Sequence, residues 1–279
     1  MSHTDLHLHT TASDGRLSPS ELVDETVRAG LTVIAVTDHD TTAAVEEVRQ
    51  LAGRRGVEAI AGIEVTAVEN QRDVHVLGYF LNPADDGFAR FLEAQRATRV
   101  ARVLAIVERL EDLGMPTDLR QWFTDAAARS GRSIGRPQVA RAMVQAGHVA
   151  SMQEAFDKWL GQDGPAFVAR TGPSPEHVID AIHRAGGLAS LAHPGRTAID
   201  ARIPALAAAS LDAIEVYHSD HDATAVERYR AMARELGLLT TGGSDFHGDP
   251  ARGVSPATAT LPDEEWQRLR AARHRHALA

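Results

Sequence analysis

The chain opens on Asp5-Leu6-His7-Leu8-His9-Thr10, and two later stretches carry the same mixture of imidazole and carboxylate: Thr37-Asp38-His39-Asp40 and Gly243-Ser244-Asp245-Phe246-His247-Gly248. Alternating residues of a β-strand share one face, so a strand over 4–8 brings His7 and His9 out together, spaced as neighbouring ligands for one metal ion. The fold follows from what surrounds that first strand. Apolar runs rich in branched residues recur at 32–37, 57–65 and 74–81, separated by helical patterns, and this rhythm predicts parallel strands joined by helices. Between the first two runs, Ser18-Pro19-Ser20-Glu21 supplies an N-cap, a proline at the first helical position and a capping-box glutamate, and Gly30 ends the helix. A βαβ unit is expected there.

From 84 to 168 the pattern changes to arginine- and alanine-rich helical segments, with breaks near Gly114-Met115-Pro116, 131–137, Gly147 and 161–165. Strand and helix alternate again afterwards: a helix from Ser174, then strands at 188–192, 212–216 and 238–241. An α/β barrel built from 1–83 and 169–279 therefore brackets a helical insertion, 84–168, placed to act as a lid. Gly186-Gly187 is expected to close a helix, because no phosphate-loop pattern surrounds it. The basic stretch 270–276 is expected to fray, leaving His274 and His276 in solvent.

Composition narrows the chemistry. At 279 residues and 43% hydrophobic content the chain can bury one large core, or one core with an inserted unit. The absence of cysteine excludes thiolate zinc sites, iron–sulfur clusters, disulfides and a cysteine nucleophile, so any metal must be held by imidazole and carboxylate. A formal charge of -9 argues against a surface that coats nucleic acid. No leader-like opening and no membrane-length apolar run are seen, so a cytoplasmic protein without membrane attachment or an obligatory protein partner is expected.

Polar groups recur where strands end: His7 and His9, Asp38 and His39, Glu64, His193, Asp245 and His247. In a parallel βα barrel those ends form one face, where groups from different strands converge. On these motifs the chain resembles the PHP family, named for polymerase and histidinol phosphatase domains, and the resemblance spans nearly its whole length. It implies a distorted seven-stranded (β/α) barrel of the PHP type, holding three divalent metals at its C-terminal face. By that likeness His7, His9, Glu64 and Asp245 hold one ion, Glu64, His75 and His193 a second, and Asp14, His39 and His247 a third. The residues agree: Glu64 has two oxygens and can bridge two ions, and clustered cations acidify a water and bind phosphate-ester oxygens. Mixed carboxylate and imidazole donors suit manganese, with iron(II) or zinc as alternatives. Asp38 or Asp40 is expected to orient a ligand or water beside His39, with Asp38 carried forward as a catalytic candidate.

Specificity requires cations around the metals. Arg136, in Gly135-Arg136-Pro137-Gln138, precedes a helix at a glycine and proline corner and resembles the Gly-Arg-Pro-His segment of nucleotide-cleaving PHP proteins, with glutamine replacing the histidine. Lys158 and Arg170 fit similar positions in those relatives. Arg196 is a further candidate phosphate contact, while His221, with His218 as its competitor, is placed to meet the leaving oxygen. With 5% aromatics there is no platform for a long single strand, so a small nucleotide is favoured over a polymer. Removal of the 3'-phosphate from nucleoside 3',5'-bisphosphates is the leading expectation. Open beside it are 5'-3' cleavage of short 5'-phosphorylated RNA, histidinol phosphate hydrolysis, and a silent metal-binding scaffold.

Overall fold

A computed structural model describes residues 3–119, 131–197 and 199–276. Seven strands form one sheet in sequence order: β1 (Thr4–Leu8), β2 (Val33–Val36), β3 (Glu58–Glu69), β4 (Arg72–Tyr79), β5 (Leu188–Leu191), β6 (Ala213–His218) and β7 (Leu239–Gly243). A parallel bridge between Leu8 and Phe246 brings the last strand back toward the first. That approach depends on Gly243, where a Cβ would lie 2.3 Å from the His7 nitrogen.

The pairs β1–β2, β2–β3, β5–β6 and β6–β7 are parallel, but β4 runs antiparallel to both β3 and β5. This corrects the expectation of parallel strands throughout. Only Asn70 and Gln71 separate β3 from β4, and both have positive φ, 50° and 64°. That is the primed hairpin turn, whereas a parallel return needs a crossover of about a dozen residues.

Helices cover the outside of the sheet. In α1 (Pro19–Arg28), Ser18 and Glu21 form the expected capping box, and Leu22, Val23 and Thr26 face inward. α2 (Val45–Arg54) buries Val45, Val48 and Ala52 at helical spacing against the same side. Leu6 packs with Leu77 and Tyr79, yet Leu8 packs with Leu22 and Ile34. Side-chain parity thus changes along β1, at the register shift between Asp5 and Leu8.

The 27-residue α3 (Asp86–Asp112) serves two cores. Its first turns place Phe88 and Leu92 in the barrel's outer core, while Val103, Ile106, Val107 and Leu110 join a separate cluster with Ile134, Val139, Met143 and Leu160. That second cluster belongs to α4 (Arg136–Gln145), α5 (Met152–Ala155) and the π-helical turn Phe156–Leu160. Residues 120–130 of the expected insertion lie outside the described residues. After α6 (Pro175–Arg184), Gly186 has φ 78° and stops the helix. The chain continues through α7 (Pro194–Thr197), α8 (Ile203–Ala208) and α9 (Ala223–Leu236) to α10 (Asp263–Ala272). Trp266 and Leu269 of α10 pack with Leu6, Leu77 and Tyr79, each such burial contributing roughly 1.5–3 kcal/mol.

Beyond α10 the chain does not behave as a solvated tail. His276 reaches Asp212 Oδ1 at 3.1 Å and stacks on His183, although His274 is exposed as expected. Among the described residues no helix is long and apolar enough to cross a membrane.

Candidate active site

The strand ends and the loops beside them gather eight side chains around one buried carboxylate. Glu64, 1% exposed, places Oε2 3.3 Å from His7 Nε2, 3.3 Å from His9 Nε2 and 3.0 Å from His39 Nδ1. Its Oε1 lies 2.7 Å from His75 Nδ1 and 3.0 Å from His193 Nε2. Asp245 Oδ1 stands 3.4 Å from His7 Nε2 and 3.2 Å from His9 Nε2. Asp14 faces His247 Nε2 at 3.2 Å and His39 Nε2 at 3.6 Å. All nine candidate ligands are therefore brought together, and Glu64 sits where two groups of them meet.

Hydrogen bonding does not satisfy this cluster. His7 Nε2, both ring nitrogens of His9, His39 Nδ1, Glu64 Oε2 and His193 Nδ1 are buried without a hydrogen-bond partner. Leaving a buried polar atom unpaired costs about 1–3 kcal/mol, so several adjoining lone pairs without donors call for a shared cation. The donor set, imidazole and carboxylate with no sulfur, fits divalent ions of the manganese, iron or zinc kind. Combinations within reach of one ion include His7, His9, Glu64 and Asp245; His9, Asp14, His39 and His247; and His39, Glu64 and His75.

The electrostatics divide the imidazoles into two kinds. Burial, aided by His247, pushes His9 down to about 3, and burial pushes His193 down to about 4, so both are neutral and able to donate lone pairs at pH 7. For His247 burial acts in the same downward direction, but Asp14 and Asp245 overcome it and hold the ring up at about 9. Glu64, Asp14 and Asp245 lie well below the usual carboxylate range despite burial, because charged imidazoles surround them.

A surrounding layer fixes these groups. His7 Nδ1 donates to Glu215 Oε1 at 2.9 Å, which aims Nε2 into the cluster, and Glu215 Oε2 accepts the His193 backbone N–H at 2.8 Å. Asp5 accepts from the Ser244 and Ala257 backbones at 2.9 and 3.0 Å, tying β1 to the loop that carries Asp245. Asp40, His193 and Asp245 all take positive φ, 51°, 27° and 55°, a strain that concentrates where side chains must be aimed against backbone preference.

Asp38 has a different place from the one expected. It accepts from the Thr10 N–H, the Thr10 hydroxyl and the Ser13 hydroxyl at 2.8, 2.6 and 2.5 Å, so it braces the loop after β1 and does not line the cavity. His221 is likewise engaged on both sides. Its Nδ1 donates to Val216 O at 2.9 Å and its Nε2 accepts from Gly195 N at 3.2 Å, leaving no free nitrogen for a leaving group. His218 lies under the site, its buried Nε2 3.5 Å from Asp245 Oδ2 and without a hydrogen-bond partner. Lys158 points to solvent in an ion pair with Glu154.

The other basic candidates line a cavity of about 570 Å³ above the cluster. Arg136 Nη2 lies 3.1 Å from Asp73 Oδ2, and its guanidinium sits 5.9 Å over the Phe156 ring. Arg170 binds Asp40 Oδ2 at 3.1 Å, and Arg196 binds Asp245 Oδ2 at 3.0 Å. Sequence reasoning did not single out Arg99 and Arg102 of α3, nor Arg252. These pair with Asp40, Asp73 and Asp245 respectively and also line the cavity. The available signal was the i, i+3 spacing of Arg99 and Arg102, which puts both on one helix face.

A model of the PHP domain family matches residues 5–163, more than half of the chain. The chain belongs to the PHP domain family. Two curated relatives of this PHP protein are enzymes acting on phosphoesters. The 3',5'-nucleoside bisphosphate phosphatase of Chromobacterium violaceum is 33% identical over 272 residues, covering 94% of this chain and 93% of that one. The 5'-3' exoribonuclease Rnm of Escherichia coli is 35% identical over 252 residues, covering 87% and 84%. A solved structure from Bifidobacterium adolescentis, provisionally assigned to the metal-dependent phosphoesterases, superposes with a TM-score of 0.87 at 31% identity over 97% and 96% of the two chains. This PHP protein is a metal-dependent phosphoesterase.

Proposed function

We propose that the enzyme removes the 3'-phosphate from nucleoside 3',5'-bisphosphates, leaving nucleoside 5'-monophosphates. The observation that carries this reading is the presence of two arginine groups at separate carboxylates around one cavity. Arg196 and Arg252 converge on Asp245, beside the ligand cluster, and Arg102 and Arg136 converge on Asp73, with Arg170 close by on Asp40. A substrate with two phosphates matches two cationic groups, and a cavity of about 570 Å³ suits one nucleotide. The 33% identity to a bisphosphate phosphatase over nearly the full chain supports the same choice.

His7, His9, Glu64 and Asp245, then Glu64, His75 and His193, then Asp14, His39 and His247 would hold three divalent cations, manganese foremost, with iron or zinc as alternatives. Such ions supply an acidified water as nucleophile and charge neutralisation for the phosphate under attack. The chain's own residues do the rest. Arg196 and Arg252 orient the reacting phosphate, while Arg136 and Arg170 grip the distal one by charge-assisted bonds. Helices from 84–168 act as a lid that limits water entry, and the enzyme works in the cytoplasm.

A second reading has support in the 35% identity to an exoribonuclease: the same 5'-phosphorylated nucleotide, cut at the same 3' oxygen, is released from short RNA. A panel with manganese supplied separates the readings. Phosphate release from adenosine 3',5'-bisphosphate is expected to exceed nucleotide release from a 5'-phosphorylated trinucleotide and phosphate release from histidinol phosphate. Arg136→Ala should raise KM for the bisphosphate about ten- to a hundredfold, the worth of one charged hydrogen bond, with kcat little changed. Silence on both nucleotide substrates would remove this assignment.

A further inference from the structure

We propose that His183, Asp212 and His276 form a second, separate site for one divalent cation of the zinc type, at the opposite end of the barrel from the active site. Asp212 directly precedes β6, whose far end carries His218, so the length of that strand, about 20 Å, separates the two places. None of the active-site ligands takes part.

The three side chains are already arranged around a common point. Asp212 Oδ2 lies 2.7 Å from His183 Nε2, and Oδ1 lies 3.1 Å from His276 Nε2. One potential donor atom from each residue falls within 4.8 Å of the others. Ligands about 2.1 Å from a tetrahedral ion stand roughly 3.4 Å apart, so donor atoms that lie within 4.8 Å of one another reach that spacing by shifts of up to about 1.4 Å, within the range of side-chain rotation. The carboxylate is fixed from behind, because Oδ2 also accepts the Ala189 backbone N–H at 2.9 Å.

The ring arrangement favours lone pairs over charges. The two imidazoles stack with centroids 3.7 Å apart and planes inclined by 15°. Two cationic rings at that separation would repel, whereas two ring lone pairs can share one cation. His183 also lies in the last turn of α6, where the helix dipole favours positive charge. Side-chain exposures of 14%, 5% and 27% leave the group sheltered yet open enough for water to complete a coordination shell. Two imidazoles and one carboxylate suit zinc, nickel or copper better than calcium or magnesium. Bound there, the ion would clamp the segment after α10 to the base of β6.

The manganese-loaded enzyme is equilibrated with zinc, freed of excess by gel filtration and analysed for zinc, beside His276→Gln and the double variant His183→Gln/His276→Gln. Wild type is expected to retain one more zinc per chain than either variant. Zinc should also slow amide hydrogen exchange over residues 272–276, an effect absent from the variants. Phosphoesterase turnover of both variants should stay within about twofold of wild type, since the sites are remote, which also shows that they fold. Equal zinc content in wild type and variants, or protection without extra zinc, overturns the site and leaves a hydrogen-bonded clasp.

Discussion

Glu64→Gln is expected to give a folded protein that loses most of its bound metal and turns over more than about 100-fold more slowly than wild type. Loss of a residue that merely orients a metal ligand costs about 10- to 100-fold, and Glu64 stands at the centre of the ligands themselves. Its two oxygens lie within 3.3 Å of His7, His9, His39, His75 and His193. An amide keeps the volume but replaces one acceptor by a donor and removes the charge that joins the two halves of the cluster. Core packing is left intact, so the metal-free variant should still melt cooperatively, below metal-free wild type because a buried carboxylate is lost from among the imidazoles. Elemental analysis and phosphate release together check this; full turnover in Glu64→Gln would mean that the cluster is not the reaction centre.

Asp40→Ala is expected to cost about 3–5 kcal/mol of stability, the effect of removing one partner from a buried ion network. Asp40 is fully buried and bonds Arg99 Nε, Arg170 Nη2 at 3.1 Å and the Thr66 N–H at 2.8 Å. Its loss leaves two buried guanidiniums without their carboxylate. Asp40 remains ionised far below the ordinary carboxylate range, because Arg99 and Arg170 outweigh the opposing effect of burial. A depressed folded pKa stabilises at every pH above the unfolded value near 4, and the benefit disappears only as pH falls through the lower folded value. The deficit of Asp40→Ala against wild type should therefore be constant from about pH 5 upward and shrink in strong acid. Urea unfolding at several pH values measures it, and a loss below about 1 kcal/mol would show that the network carries no such weight.

Much of the site could be read from the chain because each ligand type has a local signature. His7 and His9 share a strand face, and Asp38-His39-Asp40 and Asp245-Phe246-His247 follow apolar runs where barrel strands end. The reversal of β4 was also open to reading, since two residues between strands allow only a hairpin, but Asn70-Gln71 lacks the glycine that usually marks such a turn. Pairing was harder to foresee. Glu215 interrupts an apolar strand, a buried acid in search of a partner, yet nothing local says that His7, 208 residues earlier in the chain, is that partner. Arg99 and Arg102 resemble the exposed arginines of the same helix until Asp40 and Asp73 are placed opposite them. His221 and Lys158 failed as active-site candidates for the converse reason: a backbone carbonyl and a neighbouring glutamate satisfy them locally. His276 acquires meaning only when the fold returns the end of the chain to Asp212.

The most direct test is phosphate release from adenosine 3',5'-bisphosphate by the purified enzyme, measured as isolated, after chelation and dialysis, and after manganese is returned. Release as isolated, its loss on chelation and its recovery with manganese are expected if divalent ions held around Glu64 perform the hydrolysis. Undiminished release from protein that elemental analysis finds free of metal would contradict it.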